Sequence, residues 1–164
     1  MTSQPTSRNS DLRFKQATHN NEVAYILLSN KKGVEAWDWV ITTTFYSVVH
    51  YVESVIDHKS TSLKIDGLSY TKKSVSELMK SADIKEVYTS IHGLRKSIVS
   101  QNFGHLFDSY KEIFDACHTA RYTNYQLYNR AFAEDLFEQL AIFRLWSSKI
   151  IFPKKNDSEH ILKF

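Results

Sequence analysis

The sequence predicts an all-α fold, an up-and-down bundle of about five helices, and three observations carry that prediction. The 164 residues make one domain. Only four glycines and two prolines occur, and both prolines, Pro5 and Pro153, lie near the ends, so long stretches run without a backbone breaker. Apolar residues then recur at steps of three and four through several of these stretches, the period of one helix face.

Residues 1–10 are rich in Ser, Thr and Asn and read as a flexible tail. Ser10 or Asp11 is placed to cap a first helix that runs to about Ser29, ahead of the break at Asn30-Lys31-Lys32-Gly33. The second helix has the clearest seam: Val34, Trp37, Ile41, Thr44, Val48, Tyr51 and Val55. Its run of β-branched residues, Val40 to Thr44, favours strand on propensity alone, but a helical period held for more than twenty residues outweighs that preference. Residues 58–71 read as a loop and residues 72–81 as a short helix. A third seam follows at Ile84, Val87, Ile91, Leu94 and Ile98 and ends at Asn102 and Gly104. The fourth runs through Phe103, Phe107, Tyr110, Phe114, Cys117, Arg121, Asn124 and Tyr128. The fifth runs through Phe132, Leu136, Leu140, Phe143, Trp146 and Ile150. The bundle is expected to occupy residues 11–152, with a polar tail at 153–164. Its expected core is Trp37, Ile41, Phe45, Val48, Val52, Ile91, Leu94, Ile98, Phe107, Phe114, Leu136, Leu140 and Phe143.

Composition narrows the function classes. Hydrophobic residues at 42% and charged residues at 24% exclude whole-chain disorder. One cysteine excludes an internal disulfide framework and fits a reducing compartment. The polar N-terminus carries no secretory signal and no apolar run is long enough for a membrane span, so a cytoplasmic address is expected. A net charge of +3 permits an acidic partner without the dense Lys/Arg cluster of a dedicated duplex binder. Seven histidines show no zinc-ligand spacing, and no metal or cofactor is expected. Glycine-rich nucleotide-binding loops and a glycine-flanked nucleophilic serine are both lacking.

The chemistry is concentrated on the third and fourth helices. In the fourth seam, Arg121 and Asn124 follow five apolar or amphipathic members of the same stripe. An arginine turned toward a core must be paired or must line a polar cavity, because an unpaired buried charge costs several kcal/mol. Either the helix has left the core there, with Arg121 solvated or in one structural ion pair, or Arg121 lines a cleft and meets an anion through its planar fork of donors. Tyr88, His92, Arg95 and Val99 share a helical face on the third helix, and His118 lies one turn before Arg121 on the fourth, beside Tyr122 and Tyr125. If the two helices pack antiparallel, His92, Arg95, His118 and Arg121 converge on a phosphate site, with an imidazole for proton transfer and a guanidinium for developing charge. On the second helix Thr43, Tyr46, His50, Glu53 and Asp57 form a polar stripe. It reads as a solvated face or subunit interface, or as a general base in which Glu53 holds His50.

Trp39 followed by Phe45-Tyr46-Ser47-Val48-Val49-His50-Tyr51-Val52-Glu53 resembles the second-helix motif of HEPN-domain proteins. His92-Gly93-Leu94-Arg95 is similar to that family's HxxR segment. Tyr110 to Phe114 with Ala120-Arg121-Tyr122 is similar to its later tyrosine and arginine-tyrosine segment. The likeness spans residues 22–150. It implies a helical bundle, often a homodimer, with RNA-directed roles in toxin–antitoxin, CRISPR and other antiviral systems. Ribonuclease members carry R-x4–6-H on a late helix and build a metal-independent site across the dimer. Here Arg121 is followed at those distances by Gln126, Leu127 and Tyr128, and the formal match Arg13 to His19 falls on the first helix.

The expected function is therefore a HEPN-like protein that binds RNA or a nucleotide. Arg95, Arg121 and Asn124 contact phosphate and Tyr122 or Tyr125 stacks on a base. Were it a ribonuclease, His92 or His118 would handle the proton and Arg121 the charge. The expected partners are a second copy of the chain and a protein such as a cognate antitoxin. The alternative is a non-catalytic dimerisation or protein-interaction module.

Overall fold

A computed structural model describes residues 6–30, 36–58, 62–71, 73–122 and 128–153. Helix α1 (Thr6–Ser29) lies antiparallel to α2 (Trp37–Ile56). A hairpin of β1 (Ser62–Ile65) and β2 (Leu68–Thr71) leads to two short helices, α3 (Val75–Leu78) and α4 (Ala82–Val87). Then come α5 (Ile91–Asn102), a 3₁₀ turn (Gly104–Leu106), α6 (Phe107–Tyr122) and α7 (Arg130–Ile151). The chain is an all-α helical bundle, and none of the described helices is long and apolar enough to cross a membrane.

Helix α2 is the central rod, packed by α1, α6 and α7. Its β-branched residues fill the core: Val40, Ile41, Val48 and Val52 are all fully buried. Burial over most of the helix surface overrides the weak local preference for strand. The expected core residues Ile41, Phe45, Val48, Val52, Leu94, Ile98, Leu136, Leu140 and Phe143 are buried, while Trp37, Ile91, Phe107 and Phe114 are half-buried and pack against them.

Helix α1 differs from expectation at its start. It begins at Thr6, inside the segment read as a tail, and Ser10 does not cap it. Ser10 is fully buried, and its hydroxyl donates to the Ser54 carbonyl at 2.7 Å. One turn pair further on, the Ser47 hydroxyl donates to the Ala17 carbonyl at 2.6 Å. The buried face of α1 is Ser10, Ala17, Asn21 and Ala24, small or polar residues that bring its backbone close to α2. The hydroxyls of Ser10 and Ser47 are thus each satisfied by a carbonyl of the facing helix. Helix α1 also meets Phe137 of α7 through Tyr25, and Phe152, the residue that follows α7, through Phe14 with ring centroids 5.2 Å apart.

The segment read as a loop is instead a hairpin. Asp66 and Gly67 hold φ of 50° and 84°, the pair of positive values that a two-residue hairpin turn demands. Leu63 and Ile65 point inward and are buried. Asn102 and Gln101 at the end of α5 stand in for a third strand. Asn102 accepts from the Lys64 amide at 2.7 Å and donates to the Lys64 carbonyl at 2.9 Å, and Gln101 accepts from the Asp66 amide at 2.9 Å. A two-stranded hairpin is marginal alone, and this lateral support explains its persistence.

The third seam is also not one helix. It breaks at Tyr88-Thr89-Ser90, where Tyr88 is extended and its hydroxyl lies 2.7 Å from both Asp66 Oδ2 and Ser97 Oγ. Val87 is consequently exposed. Tyr88 therefore leaves the face it was expected to share with His92, Arg95 and Val99, and those three remain together on α5.

Candidate functional site

Between α2, the start of α5 and α6 lies a cleft of about 320 Å³ lined by Phe45, Tyr46, Ser90, His92, Phe114, Cys117, His118 and Arg121. Its wall is aromatic. The Phe45 ring lies 5.7 Å from Phe114 and 5.9 Å from the His92 imidazole, and Phe114 stacks on His118 at 6.2 Å. At the mouth, Arg121 is exposed; its Nη1 donates to the Tyr46 hydroxyl, and its guanidinium carbon sits 5.7 Å from the centre of that ring. Burial pushes the Cys117 thiol up to about 11, so it presents a neutral sulfur to the cleft and not a nucleophile.

The start of α5 is set by Ser90, whose hydroxyl accepts from the Gly93 amide at 3.0 Å as an N-cap. A Cβ at Gly93 would meet that hydroxyl at 3.2 Å, so glycine lets the cap close tightly. The cap brings His92 to the cleft and, three residues on, turns Arg95 away from it.

Arg95 does not reach the cleft. It is 5% exposed, and its Nε and Nη2 donate to Glu53 Oε1 at 3.2 and 2.6 Å. Its remaining corner, Nη1, lies 3.2 Å from His92 Nδ1. The other oxygen of Glu53 receives Arg13 Nη1 at 3.0 Å, and His50 Nδ1 stands 3.7 Å from it. Arg13 also reaches Asp57 at 3.7 Å. Burial acts to raise the Glu53 pKa, but His50 and the two guanidiniums outweigh it and hold the carboxyl at about 2. Burial raises the Asp57 pKa, only partly opposed by Arg13. Of the polar stripe of α2, Glu53 is buried and Thr43, Tyr46, His50 and Asp57 are half-buried. The C-terminal part of the stripe, from His50 to Asp57, is an ion-pair seam that ties α1, α2 and α5 together.

Of the expected site residues, His92, His118 and Arg121 come together in the cleft. Arg95 stands behind His92, committed to Glu53. Asn124 and Tyr125 lie outside the described residues, as does the side chain of Tyr122. Sequence reasoning missed the aromatic wall of Phe45 and Phe114, which it assigned to the core. It also missed Glu53 as the partner of Arg95; the polar stripe containing Tyr46 and Glu53 was the available signal.

Burial, and then the guanidiniums of Arg95 and Arg121, lower the His92 pKa below its ordinary value. The cleft therefore offers an exposed cation, a neutral imidazole and aromatic faces, a set suited to an anion attached to a flat ring. Among the described residues no group of three or more His, Cys, Asp or Glu is placed to hold a metal ion. Comparison with protein-family models and with curated proteins finds no match for this chain.

Proposed function

We propose that the protein is a HEPN-like binder of RNA or of a single nucleotide, and that the cleft between α2, α5 and α6 is its site. The observation that carries this reading is the meeting of Arg121, His92 and His118 on an aromatic wall, in a volume suited to one nucleotide unit. Arg121 contacts the phosphate, and the base packs on Phe45, Phe114 or Tyr46. The reading is of binding. Cleavage by the family's usual pair has no support, since no histidine follows Arg121 at the required spacing. By the same resemblance, the protein works as a homodimer in a prokaryotic defence or toxin–antitoxin setting.

The test is fluorescence anisotropy of a labelled single-stranded oligoribonucleotide at two salt concentrations. Binding that weakens with salt and is lost in a folded Arg121→Ala variant supports the site. Binding by that variant equal to the parent's removes it. A second reading, a protein-interaction module, draws on the apolar side chains left outside: Trp39 is 60% exposed, and Ile142 and Leu145 on α7 are each 49% exposed. A stable oligomer with no RNA affinity is the outcome that favours it.

A further inference from the structure

The contact between Arg95 and His92 settles which nitrogen of the imidazole carries its proton. A guanidinium has five donors and no acceptor, so at 3.2 Å from Arg95 Nη1 the His92 Nδ1 must offer its lone pair. In the neutral ring the proton then resides on Nε2. Arg95 cannot swing away to release Nδ1, because Glu53 Oε1 holds two of its nitrogens and both side chains are almost wholly buried. Glu53 is itself fixed from the other side by Arg13. The chain Arg13–Glu53–Arg95–His92 thus runs from α1 through α2 to α5 and ends at the cleft.

We propose that Arg95, held by Glu53, is a positioning residue that fixes His92 as the Nε2–H tautomer, so that the imidazole serves the cleft as a neutral hydrogen-bond donor and not as a proton acceptor. A base at Nε2 would need the proton on Nδ1, facing a guanidinium. An acid would need protons on both nitrogens, with the same clash. Among the described residues, the groups whose charge acts on the ring are Arg95 on its own helix, Glu53 on α2, and Arg121 and His118 on α6, while Tyr46 and Cys117 also line the cleft. Three of these oppose a positive His92, and Glu53 favours it. Lowering of the His92 pKa agrees with this balance. The role toward a ligand rests on the nucleotide-binding reading above; the tautomer does not.

The test reads the ring directly. Long-range ¹H–¹⁵N correlation spectra of the full-length ¹⁵N-labelled protein, with His92 assigned by its loss in His92→Gln, report which nitrogen is protonated. The expected result at neutral pH is one tautomer with Nε2 protonated and Nδ1 bare. A protonated Nδ1, or an averaged mixture, overturns the proposal without any variant. In the double variant Glu53→Gln/Arg95→Met, which removes the pair's charges together, the ring is expected to become a tautomer mixture and its titration midpoint to rise toward the ordinary value. A folded double variant with unchanged tautomer and midpoint also overturns it. Affinity for a labelled oligouridylate is expected to fall roughly fivefold in that variant, the worth of about one neutral hydrogen bond. If the parent shows the expected tautomer yet binds no oligouridylate, the positioning role stands and the nucleotide-binding reading falls.

Discussion

Two arginines on neighbouring helices show how one residue type is put to opposite uses. Arg95 is sealed behind the cleft, with two of its nitrogens on a buried carboxylate and its third corner on an imidazole. Arg121 stands exposed at the cleft mouth, donating to a phenol and lying over its ring. The difference is made by what α2 presents to each: Glu53 to Arg95, and Tyr46, two turns earlier on the same stripe, to Arg121. A buried carboxylate turns a cation into a structural part, whereas a phenol at the surface steadies a cation that stays exposed.

The largest expected effect breaks the sealed side. Arg95→Met leaves Glu53 buried with Arg13 as its remaining guanidinium, and a loss of about 3 kcal/mol in urea unfolding is expected. Adding Glu53→Gln to the same chain should recover most of that loss, because the penalty belongs to the incompletely compensated buried carboxylate and not to the missing contact. A double variant as unstable as the single would show that packing, not charge, dominates the seam.

Acid sharpens the same point. The folded pKa of Glu53, about 2, lies below its unfolded value near 4.5, so the folded state binds fewer protons in that window. The stabilisation is fully present above about pH 4.5 and disappears as the pH falls toward 2, amounting to about 3 kcal/mol. Glu53→Gln should flatten stability against pH in that interval while leaving the curve above pH 5 parallel to the parent's. His92 adds to the acid loss from a higher pH. Its folded pKa is depressed, so its share is present above the ordinary imidazole value and is lost as the pH falls through the folded one.

The sealed and open sides were not equally legible from sequence. That His92 and Arg95 are neighbours follows from their spacing, as does the placing of His118 and Arg121 on one face of α6. That Arg95 belongs to Glu53 does not follow, because the two lie 42 residues apart and meet only through helix packing. The fold divides similarly. The seam of α2 and the middle of that of α7, Leu136, Leu140 and Phe143, read directly because their buried residues are large and apolar, whereas toward its C-terminus α7 buries Ser147, Ser148 and Ile151 in place of the expected Trp146 and Ile150. The buried stripe of α1 is Ser10, Ala17, Asn21 and Ala24, which has the right period but no hydrophobic signal. The hairpin offers only Leu63 and Ile65 as inward residues, too short an alternation to register, although Asp66-Gly67 is a strong turn pair. The break before α5 is marked by Ser90, a capping residue hidden inside a seam that keeps helical step on both sides.

A smaller effect joins the two sides. Ser90 lines the cleft and caps the helix that carries both His92 and Arg95. Ser90→Ala should cost about 1 kcal/mol through the lost bond to the Gly93 amide, measured by thermal or urea unfolding. Ser90→Gly, which keeps the cap backbone accessible, should cost only a few tenths. Equal losses in the two variants would mean that the hydroxyl matters through the cleft and not through the helix.

The smallest expected effect on stability tests the open side most sharply. Arg121→Ala removes an exposed charge and its bond to the Tyr46 hydroxyl, and exposed pairs of this kind are worth little, so stability should change by no more than about 0.5 kcal/mol. Binding is where the loss should appear. If one phosphate contact is deleted from a single-stranded ligand, the slope of log affinity against log salt becomes shallower by about 0.7, and affinity at low salt falls about tenfold. Tyr46→Phe keeps the ring and removes the hydroxyl; it should preserve the slope, because the cation remains, while loosening the side chain that carries it. A variant of Arg121 that unfolds as easily as one of Arg95 would erase the contrast, and would place both arginines in the architecture rather than one of them in a site.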